Sequence, residues 1–263
     1  MSDEQQNGHI FVGGAGRSGT TLMRALLEAH SRICCGPEMK ALPQISWLYQ
    51  WISGMPLQMD AYKNTLANIQ GYFRQFIESL AGNYRLASGK PRWAEKTPHN
   101  VLYIETLGTL FPDARFIHMI RDGRDVACSL VTTDWFGPGW GAELGEVQKI
   151  TKAARYWRDT VQRARQQAAQ PVVAGRVIQV PYELLVADLE GTMRKVMDYL
   201  GEAWDPAILE AYKKDRAGEP YEFSTHQITK PVYNTSVGRW KRDMSPVDKI
   251  AFKSEAGSLL KEM

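Results

Sequence analysis

The feature that most constrains the fold of this chain is a glycine-rich turn near its start, in the segment HIFVGGAGRSGTTLMRALL at residues 9–27. Three apolar residues at 10–12 predict a short buried strand, and the amphipathic stretch that begins at Thr20 predicts a helix. The glycines between them permit a tight turn, which directs backbone N–H groups and the positive end of the helix towards one point. This strand, turn and helix therefore predict a cradle for a phosphate group.

The spacing of this turn differs by one residue type from the Walker A motif of nucleoside triphosphatases. Counted from Gly14, the segment reads G-x-x-x-x-G-T-T, so that Thr20 stands where the motif has lysine. The nearby cation is Arg17, three positions earlier. We therefore expect the turn to bind a nucleotide phosphate without acting as an ATPase.

A second candidate for phosphate binding is RDGRDVACSL at residues 121–130, which follows the apolar run RFIHMI. Arg121 ends the strand expected there, and Ser129 lies in the second turn of a helix expected to begin at Asp125. A guanidinium and a hydroxyl so placed could meet at one phosphate, because the planar fork of arginine binds phosphate oxygens in bidentate fashion. The alternative is that Arg121 and Arg124 form surface ion pairs with the aspartates that follow them.

The order of the predicted elements indicates an α/β fold. Short strands are expected at residues 10–12, 115–120 and 176–181, and at the start of WAEKTPHN at 93–100. The predicted helices after the first are 62–81, 101–111, 125–131, 147–169, 184–200 and 245–260. This alternation predicts a P-loop-like three-layer fold, with a central and mostly parallel sheet flanked by helices. In such folds ligands bind beyond the carboxyl ends of the strands, where both phosphate-binding candidates lie.

The length of 263 residues favours a single domain over residues 1–263, with residues 1–8 expected to be disordered. Residues 82–92 are rich in turn formers. The segment 135–145 contains four glycines and a proline, and is long enough to act as a lid over a substrate.

Composition narrows the class of protein. The net charge is only +3 and no polybasic run occurs, so binding to nucleic acid or to a membrane surface is not expected. The polar start MSDEQQNGH is unlike a signal peptide, and no long apolar run predicts an integral membrane segment. The three cysteines form neither a disulfide framework nor a metal-ligand pattern, which favours reduced thiols in a cytoplasmic protein.

Two segments, FVGGAGRSGTTLMRALLEAH and FIHMIRDGRDVACSL, together resemble the sulfotransferases that use 3′-phosphoadenosine 5′-phosphosulfate (PAPS). The resemblance is greatest to the tyrosylprotein sulfotransferase branch and its bacterial relatives. In that branch a similar P-R-S-G-T-T-L-M-R-A run is followed by C-G-E-E-T-R, which reads CGPEMK here at 35–40. Scattered matches extend from Phe11 to Trp240. The resemblance implies a bacterial, PAPS-dependent transferase that moves the sulfuryl group to a hydroxyl or phenol.

The resemblance also implies which residues bind the donor and its product, 3′-phosphoadenosine 5′-phosphate (PAP). Arg17 is expected at the transferring sulfuryl group and the bridging oxygen, and Arg121 and Ser129 at the 3′-phosphate. Tyr182 matches a tyrosine that packs against the nucleotide. The residues expected at the 5′-phosphate, next to the turn glycine, are Gly16, Ser18, Gly19, Thr20 and Thr21. The residues expected to close over the 3′-phosphate and adenine are Lys230, Gly238, Arg239 and Trp240.

Two further residues match catalytic positions of the family. Lys96, in AEKTPHN, is implied as a second cation at the leaving oxygen, where in-line transfer builds negative charge, and it could also protonate that oxygen. Its alternative is an ion pair with Glu95 or a solvated position. Glu38 stands at the position of the base glutamate of the tyrosylprotein branch, and a hydroxyl acceptor needs a base. Its alternative is an ion pair with Lys40 or Arg17. With cations from the protein, the resemblance implies no metal.

His99 is the second candidate for the base. Cytosolic sulfotransferases carry a catalytic histidine two residues after the matching lysine, in a K-T-H run. Here that position is Pro98 and the histidine is displaced by one residue. We therefore prefer Glu38 as the base.

The departures from the tyrosylprotein branch concern the acceptor. One of the paired glutamates is Pro37, and the basic residue after the base is Lys40 where the branch has arginine. We therefore expect a small hydroxyl- or phenol-bearing acceptor in preference to peptide tyrosine. The aromatic segments Trp47–Trp51 and Trp135–Trp140 are candidate walls of an acceptor pocket, or else core and lid packing. Whether the protein is a monomer or a homodimer is left open.

Two other functions are compatible with a phosphate cradle. One is a P-loop kinase that phosphorylates a small molecule with ATP and Mg²⁺, although Thr20 in place of lysine argues against it. The other is a catalytically silent nucleotide-binding protein on the same fold.

Overall fold

Within the described residues, five strands form one sheet in the order β2-β3-β1-β4-β5, and all neighbouring pairs are parallel. The computed structural model describes residues 8–133, 145–214, 216, 219 and 225–263. The strands are β1 Ile10–Gly14, β2 Ile33–Cys35, β3 Arg92–Lys96, β4 Arg115–Ile120 and β5 Val177–Pro181. The predicted α/β class with a mostly parallel sheet is confirmed.

Helices cover both faces of the sheet. In chain order they are α1 Thr20–Ala29, α2 Leu42–Ser53, α3 Pro56–Ala61, α4 Leu66–Ser88, α5 Ile104–Leu110, α6 Gly123–Val131, α7 Glu146–Ala168, α8 Tyr182–Ala187, α9 Leu189–Leu200, α10 Trp240–Asp243 and α11 Pro246–Lys261. Four 3-10 helices add to them: Pro98–Tyr103, Pro171–Val173, Pro206–Lys213 and Thr225–Gln227.

The alternation of side chains along β1 divides the core into two layers. Ile10 and Val12 face α1 and α9, whereas Phe11 faces the layer that contains α2, α4 and α5. A third cluster, around Trp157, joins α6, α7 and α11. Because both faces of the sheet are covered, its carboxyl edge is where a ligand can reach the strand ends.

Each strand leads at its carboxyl end into a residue that the sequence singles out. After β1 and after β2, the residue singled out lies beyond a short turn. Strand β3 ends at such a residue, β4 ends one position before one, and β5 is followed directly by one at the start of α8. The five residues, in the order of their strands, are Arg17, Glu38, Lys96, Arg121 and Tyr182. The parallel sheet therefore brings to one edge residues that are far apart in the chain.

Three local predictions were wrong. The segment 82–92 is not a turn region, because α4 continues through Gly82 to Ser88 and ends at Gly89 with a φ of 65°. Helix α4 also begins later than predicted, where Thr65 and Asn68 form a capping box. The predicted helix at 184–200 is divided at Asp188, whose side chain accepts from the Gly191 N–H and caps α9. Strand β2 was not predicted, because three residues are too few for a periodic pattern.

Several predictions concern residues outside those that the structure describes. The disorder expected at residues 1–8 concerns residues 1–7, which lie outside the described ranges, and Gly8. The predicted lid at 135–145, apart from Gly145, and the aromatic segment Trp135–Trp140 also lie outside them, within residues 134–144. The single-domain assignment stays a prediction. Among the helices that the structure describes, none has the length and apolar character needed to cross a membrane.

Candidate active site

The turn between β1 and α1 has a backbone conformation that favours ligand binding. Arg17 has a φ of 71° and Gly19 a φ of 90°, both in the left-handed region. A Cβ atom at Gly19 would lie 2.4 Å from Cδ2 of Tyr182, so only glycine fits there. A non-glycine residue in this region costs about 1–3 kcal/mol, and such strain is commonly found at functional sites. The side-chain Oγ of Ser18 is buried, with no hydrogen-bond partner among the described residues.

In front of this turn lies a cavity of about 770 Å³, which we call the donor cavity. Its lining, as far as the structure describes it, contains four cationic side chains and no carboxylate. The polar lining includes the cations Arg17, Arg121, Lys230 and Arg239, and the hydroxyls of Thr20, Thr21 and Ser129. Four cations in one lining, placed at a helix N-terminus, suit a ligand with several negative charges; one of them, Arg239, also pairs with Asp243 at 2.7 Å.

Arg121 is held from three sides. Its Nη1 donates to the backbone oxygen of Arg17 at 3.0 Å, and its Nη2 donates to the backbone oxygen of Ser236 at 2.7 Å. Its guanidinium carbon lies 4.4 Å from the centre of the Tyr182 ring, whose hydroxyl is 2.8 Å from Oγ of Ser236. The buried Nε of Arg121 has no partner in the described part of the chain. The guanidinium is therefore fixed in place with a donor left for a ligand.

The two predicted phosphate-binding segments touch each other. Nε of Arg17, in the first segment, donates to Oγ of Ser129, in the second, at 2.9 Å. Residues that are 112 positions apart in the chain thus face the same space. From the sequence, Arg17 was expected at the sulfuryl group and Ser129 at the 3′-phosphate, but their contact was not predicted.

Asp125 was not among the predicted site residues, yet it holds in place the segment 236–240, which we call the late loop. Its fully buried carboxylate accepts from the Gly238 N–H at 2.7 Å and from the Trp240 N–H at 2.9 Å. Arg124 does not pair with Asp125. It pairs with Asp122 at 2.6 Å, and its guanidinium lies 3.7 Å from the centre of the Trp240 ring. Helix α6 therefore supports both the second predicted phosphate-binding segment and the late loop.

The Lys96 side chain is completely buried at the end of β3. Its Nζ lies 2.5 Å from Oε1 of Glu38 and 3.4 Å from Oγ1 of Thr21, which lines the donor cavity. The side chain of Glu38 is 11% exposed, so the ion pair is nearly dry. The alternative partner of Lys96, Glu95, is bonded elsewhere. The arrangement places a proton acceptor and a cation side by side at the edge of the cavity.

Glu95 ties together the two loops that carry these groups. Its Oε1 accepts from Thr97 Oγ1 at 2.7 Å and from the Met39 N–H at 3.2 Å, while Oε2 accepts from Asn100 Nδ2 at 2.5 Å. Burial raises the pKa of the Glu95 carboxyl, and these hydrogen bonds oppose the rise. The one sequence signal for this role is an acidic residue inside the buried strand RWAEK.

His99 and Gly16 are linked through Tyr156 on α7. The Tyr156 hydroxyl accepts from the Gly16 N–H at 2.9 Å and lies 3.4 Å from Nε2 of His99. Burial lowers the pKa of His99, while the charge of Glu38 acts in the opposite direction. The Gly16 amide is thus directed towards α7. Nothing in the local sequence around Tyr156 could have identified this contact, which spans 140 positions.

Most of the remaining predicted donor residues lie at the donor cavity. Thr20, Thr21, Tyr182, Lys230 and Arg239 line it, whereas Gly16, Ser18, Gly238 and Trp240 lie just behind the lining. In the described ranges, no three His, Cys, Asp or Glu side chains come together as metal ligands.

The sequence matches the model of the Sulfotransferase family over residues 9–206. The chain belongs to the sulfotransferase family. Among curated relatives, a protein-tyrosine sulfotransferase of Drosophila melanogaster is 29% identical over 241 residues, which are 88% of this chain. The same match covers 46% of the Drosophila protein, so this sulfotransferase chain spans less than half the length of that relative.

Solved structures share the fold. The sulfotransferase domain of the olefin synthase of Synechococcus PCC 7002 is 24% identical, with a TM-score of 0.64 over 98% of this chain and 97% of that domain. Mouse sulfotransferase SULT7A1, crystallised in complex with PAP, is 14% identical, with a TM-score of 0.56 over 97% of this chain and 89% of its own. At these identities the similarity shows a common fold.

Proposed function

We propose that this chain transfers the sulfuryl group of PAPS to a hydroxyl or phenol oxygen. The observation that carries the proposal is the donor cavity, in which four cations and no described carboxylate surround the N-terminus of α1. Membership of the sulfotransferase family supports the reaction class. The name of the Drosophila relative and the PAP bound to the mouse neighbour support the chemistry and the donor.

The residues present fit such a donor. The buried Oγ of Ser18 and Nε of Arg121 are polar groups with no partner in the described ranges, and Gly19 leaves room for a close approach to the backbone. We assign Arg17, Ser18 and the α1 N-terminus to the phosphosulfate. We assign five lining residues to the 3′-phosphate and adenine, and Arg121 and Ser129 are two of them. The other three complete this side of the cavity. These three are Tyr182, Lys230 and Arg239.

PAPS supplies an activated sulfuryl group on a phosphate leaving group. Arg17 and Lys96 bring two positive charges to the side where negative charge develops on the leaving oxygen, which lowers the barrier of an in-line displacement. Glu38 receives the proton of the acceptor hydroxyl at a carboxylate oxygen. The Lys96 ammonium, 2.5 Å from Oε1 of Glu38, holds this carboxylate at the edge of the donor cavity.

His99 is the second candidate for the base. Because burial lowers its pKa, the imidazole is neutral near pH 7 and can accept a proton. His99 lies 3.4 Å from the Tyr156 hydroxyl, whereas Glu38 contacts Lys96 at 2.5 Å. The direct contact with a cation at the donor cavity favours Glu38.

The acceptor is a hydroxyl- or phenol-bearing molecule. Peptide tyrosine is the second candidate, because the Drosophila relative is named a protein-tyrosine sulfotransferase. A cytoplasmic location agrees with three free and buried cysteines, Cys34, Cys35 and Cys128. The location, the metal independence and the choice between monomer and homodimer stay predictions.

Two measurements test the proposal. Calorimetry should detect binding of PAP without Mg²⁺, and Arg121→Ala should weaken it. Transfer of labelled sulfate from PAPS should be seen with at least one of a phenol, a sugar and a tyrosine peptide. Binding of ATP that depends on Mg²⁺, without binding of PAP, would instead support a kinase. Binding of PAP with no transfer to any acceptor would support a catalytically silent nucleotide-binding protein.

A further inference from the structure

Another concavity, of about 610 Å³, includes His99 in its lining, and the charge of Glu38 acts on this histidine. It lies between α2 and the 3-10 helix that follows β3. Its lining residues, which we call the aromatic groove, are Pro43, Gln44, Trp47, His99, Leu102 and Tyr103. His99 joins the groove to the donor side, because it contacts Tyr156, which in turn binds the Gly16 amide of the phosphate turn.

The aromatic groove differs from the donor cavity in charge. None of its lining residues is Asp, Glu, Lys or Arg. The imidazole of His99 is neutral near pH 7, since burial lowers its pKa. Gln44 offers an uncharged amide. A ligand that carried carboxylates into this groove would lose hydration without gaining an ion pair from the lining, which is unfavourable.

The mouth of the aromatic groove presents a large planar surface. Trp47 and Trp51 lie one helical turn apart on α2, with parallel rings whose centres are 6.2 Å apart and whose planes differ by 2°. They are 56% and 55% exposed. Exposed paired tryptophans, one of which shares a groove with His99, are a surface on which an aromatic ring can stack.

Apolar exposure is concentrated in this part of the molecule. Of the nineteen exposed large apolar side chains in the described ranges, eleven lie between residues 47 and 86. The sequence of α2 to α4 is correspondingly poor in charge. Trp47, one of these eleven residues, lines the aromatic groove, and none of the eleven lines the donor cavity.

We infer that the aromatic groove binds the acceptor, and that the acceptor is an uncharged molecule that carries its hydroxyl on or next to an aromatic ring, and is not an acidic peptide. The inference rests on the proposed function. In the reaction the acceptor oxygen forms a bond to sulfur as the bond from sulfur to the phosphate oxygen breaks. The hydroxyl proton passes to Glu38, and the phosphate oxygen keeps the electron pair.

The experiment compares two acceptors with PAPS as the donor. One is 2-naphthol, and the other is a capped acidic peptide with a single tyrosine between aspartates and glutamates. We expect kcat/KM to be at least about 10-fold higher for 2-naphthol, a difference that corresponds to the loss of one or two favourable contacts by the peptide. Binding of PAP, measured by calorimetry, is the parallel readout for the donor side.

Three variants localise the effect. Trp47→Ala should raise the KM for 2-naphthol about 10-fold with unchanged PAP affinity, because it removes the stacking surface. Phe76→Ala is the matched control, since this residue of α4 is 53% exposed and does not line the groove. Its KM should equal that of the parent. Gln44→Arg places a cation in the groove and should shift the preference towards the acidic peptide.

The outcomes separate this inference from the proposed function. A higher kcat/KM for the acidic peptide, or transfer to neither acceptor, would overturn the inference and leave PAP binding as support for the proposed function. A Trp47→Ala effect no larger than that of Phe76→Ala would also overturn it. Failure to bind PAP would be a failure of the proposed function itself.

Discussion

The donor cavity and the aromatic groove share one edge of the sheet but are built differently. In the donor cavity, the Arg121 side chain is held by hydrogen bonds to the backbone oxygens of Arg17 and Ser236. The late loop is held there by the Asp125 carboxylate. In the groove, Trp47 is more than half exposed and stacks on Trp51 one turn away. A multiply charged donor requires fixed charges, whereas an uncharged acceptor requires surface and shape.

If the two regions have separate tasks, variants in one should leave the other intact. The largest effect is expected for Arg17→Ala. Loss of one preorganised donor to a transition state costs about 100- to 1,000-fold in kcat. We expect a fall in kcat of that size, with PAP affinity reduced less than about 10-fold, because Arg17 is one of four cations in the cavity.

Single-turnover kinetics with PAPS and calorimetry with PAP measure the two quantities. Arg17→Lys keeps the charge without the planar fork and should lie between the parent and Arg17→Ala. An equal loss of kcat and of PAP affinity would contradict a role for Arg17 in the transition state.

The next effect distinguishes the two candidate bases. Glu38→Gln should lower kcat by about 100-fold or more, because it removes a general base, while PAP still binds. His99→Gln should lower kcat only a few-fold. Measurement of kcat for both variants over pH 5–9 would decide between them, and a larger loss in His99→Gln would transfer the role to the imidazole.

Because Glu38 and Lys96 form a nearly dry pair, their contributions should not be additive. Lys96→Met and the double variant complete a thermodynamic cycle with Glu38→Gln. We expect the double variant to lose much less than the sum of the two single losses. Additive losses would mean that the 2.5 Å contact has no functional consequence.

A smaller effect tests the attachment of the late loop to the donor cavity. Asp125→Ala removes two hydrogen bonds to a carboxylate, each of which is worth about 1.5–3 kcal/mol, and part of this loss should appear as about 10-fold weaker PAP binding. Asp159→Ala, which removes a 63% exposed partner of Arg158, is the matched control and should leave PAP binding unchanged. The KM of the acceptor should not change in either variant. A change in the acceptor KM alone would break the separation of the two regions.

The smallest effect at neutral pH concerns the sheet beneath both regions. His118 of β4 is fully buried, its two ring nitrogens have no partner among the described residues, and burial lowers its pKa to about 4. The folded state therefore binds this proton less readily than the unfolded state, whose histidine has an ordinary pKa near 6.5. Stability should be complete above pH 6.5 and should fall by about 1.4 kcal/mol per pH unit between pH 6.5 and 4.

Urea unfolding at pH 7 and pH 4.5 measures this loss of stability. His118→Leu should remove most of the acid-dependent part and leave PAP binding at pH 7 unchanged. Because β4 leads into Arg121, acid should impair the donor cavity and the groove together in the parent protein. An equally steep fall in His118→Leu would assign the acid sensitivity to other groups.

Much of the site could be predicted from the sequence because its parts are local. A glycine turn between an apolar strand and a helix, with Arg17 inside it, can be read from residues 9–27. The same holds for the strand before Arg121 and the helix that carries Ser129. The end of α4 was predicted wrongly, because the helix formers Arg85, Leu86 and Ala87 carry it past Gly82 until Gly89 ends it in the left-handed conformation.

By itself the sequence determined the class of fold, the glycine-rich turn after β1 and the positions of four of the five strands along the chain, since each follows from short-range conformational preference and from the period of apolar residues. Only the tertiary structure decided which of these parts meet. The contact of Arg17 with Ser129, the use of Asp125 to hold residues 238 and 240, and the position of Tyr156 between Gly16 and His99 join residues at least 57 positions apart. Such contacts depend on the order in which the strands pair in the sheet, and no local preference of the chain encodes that order.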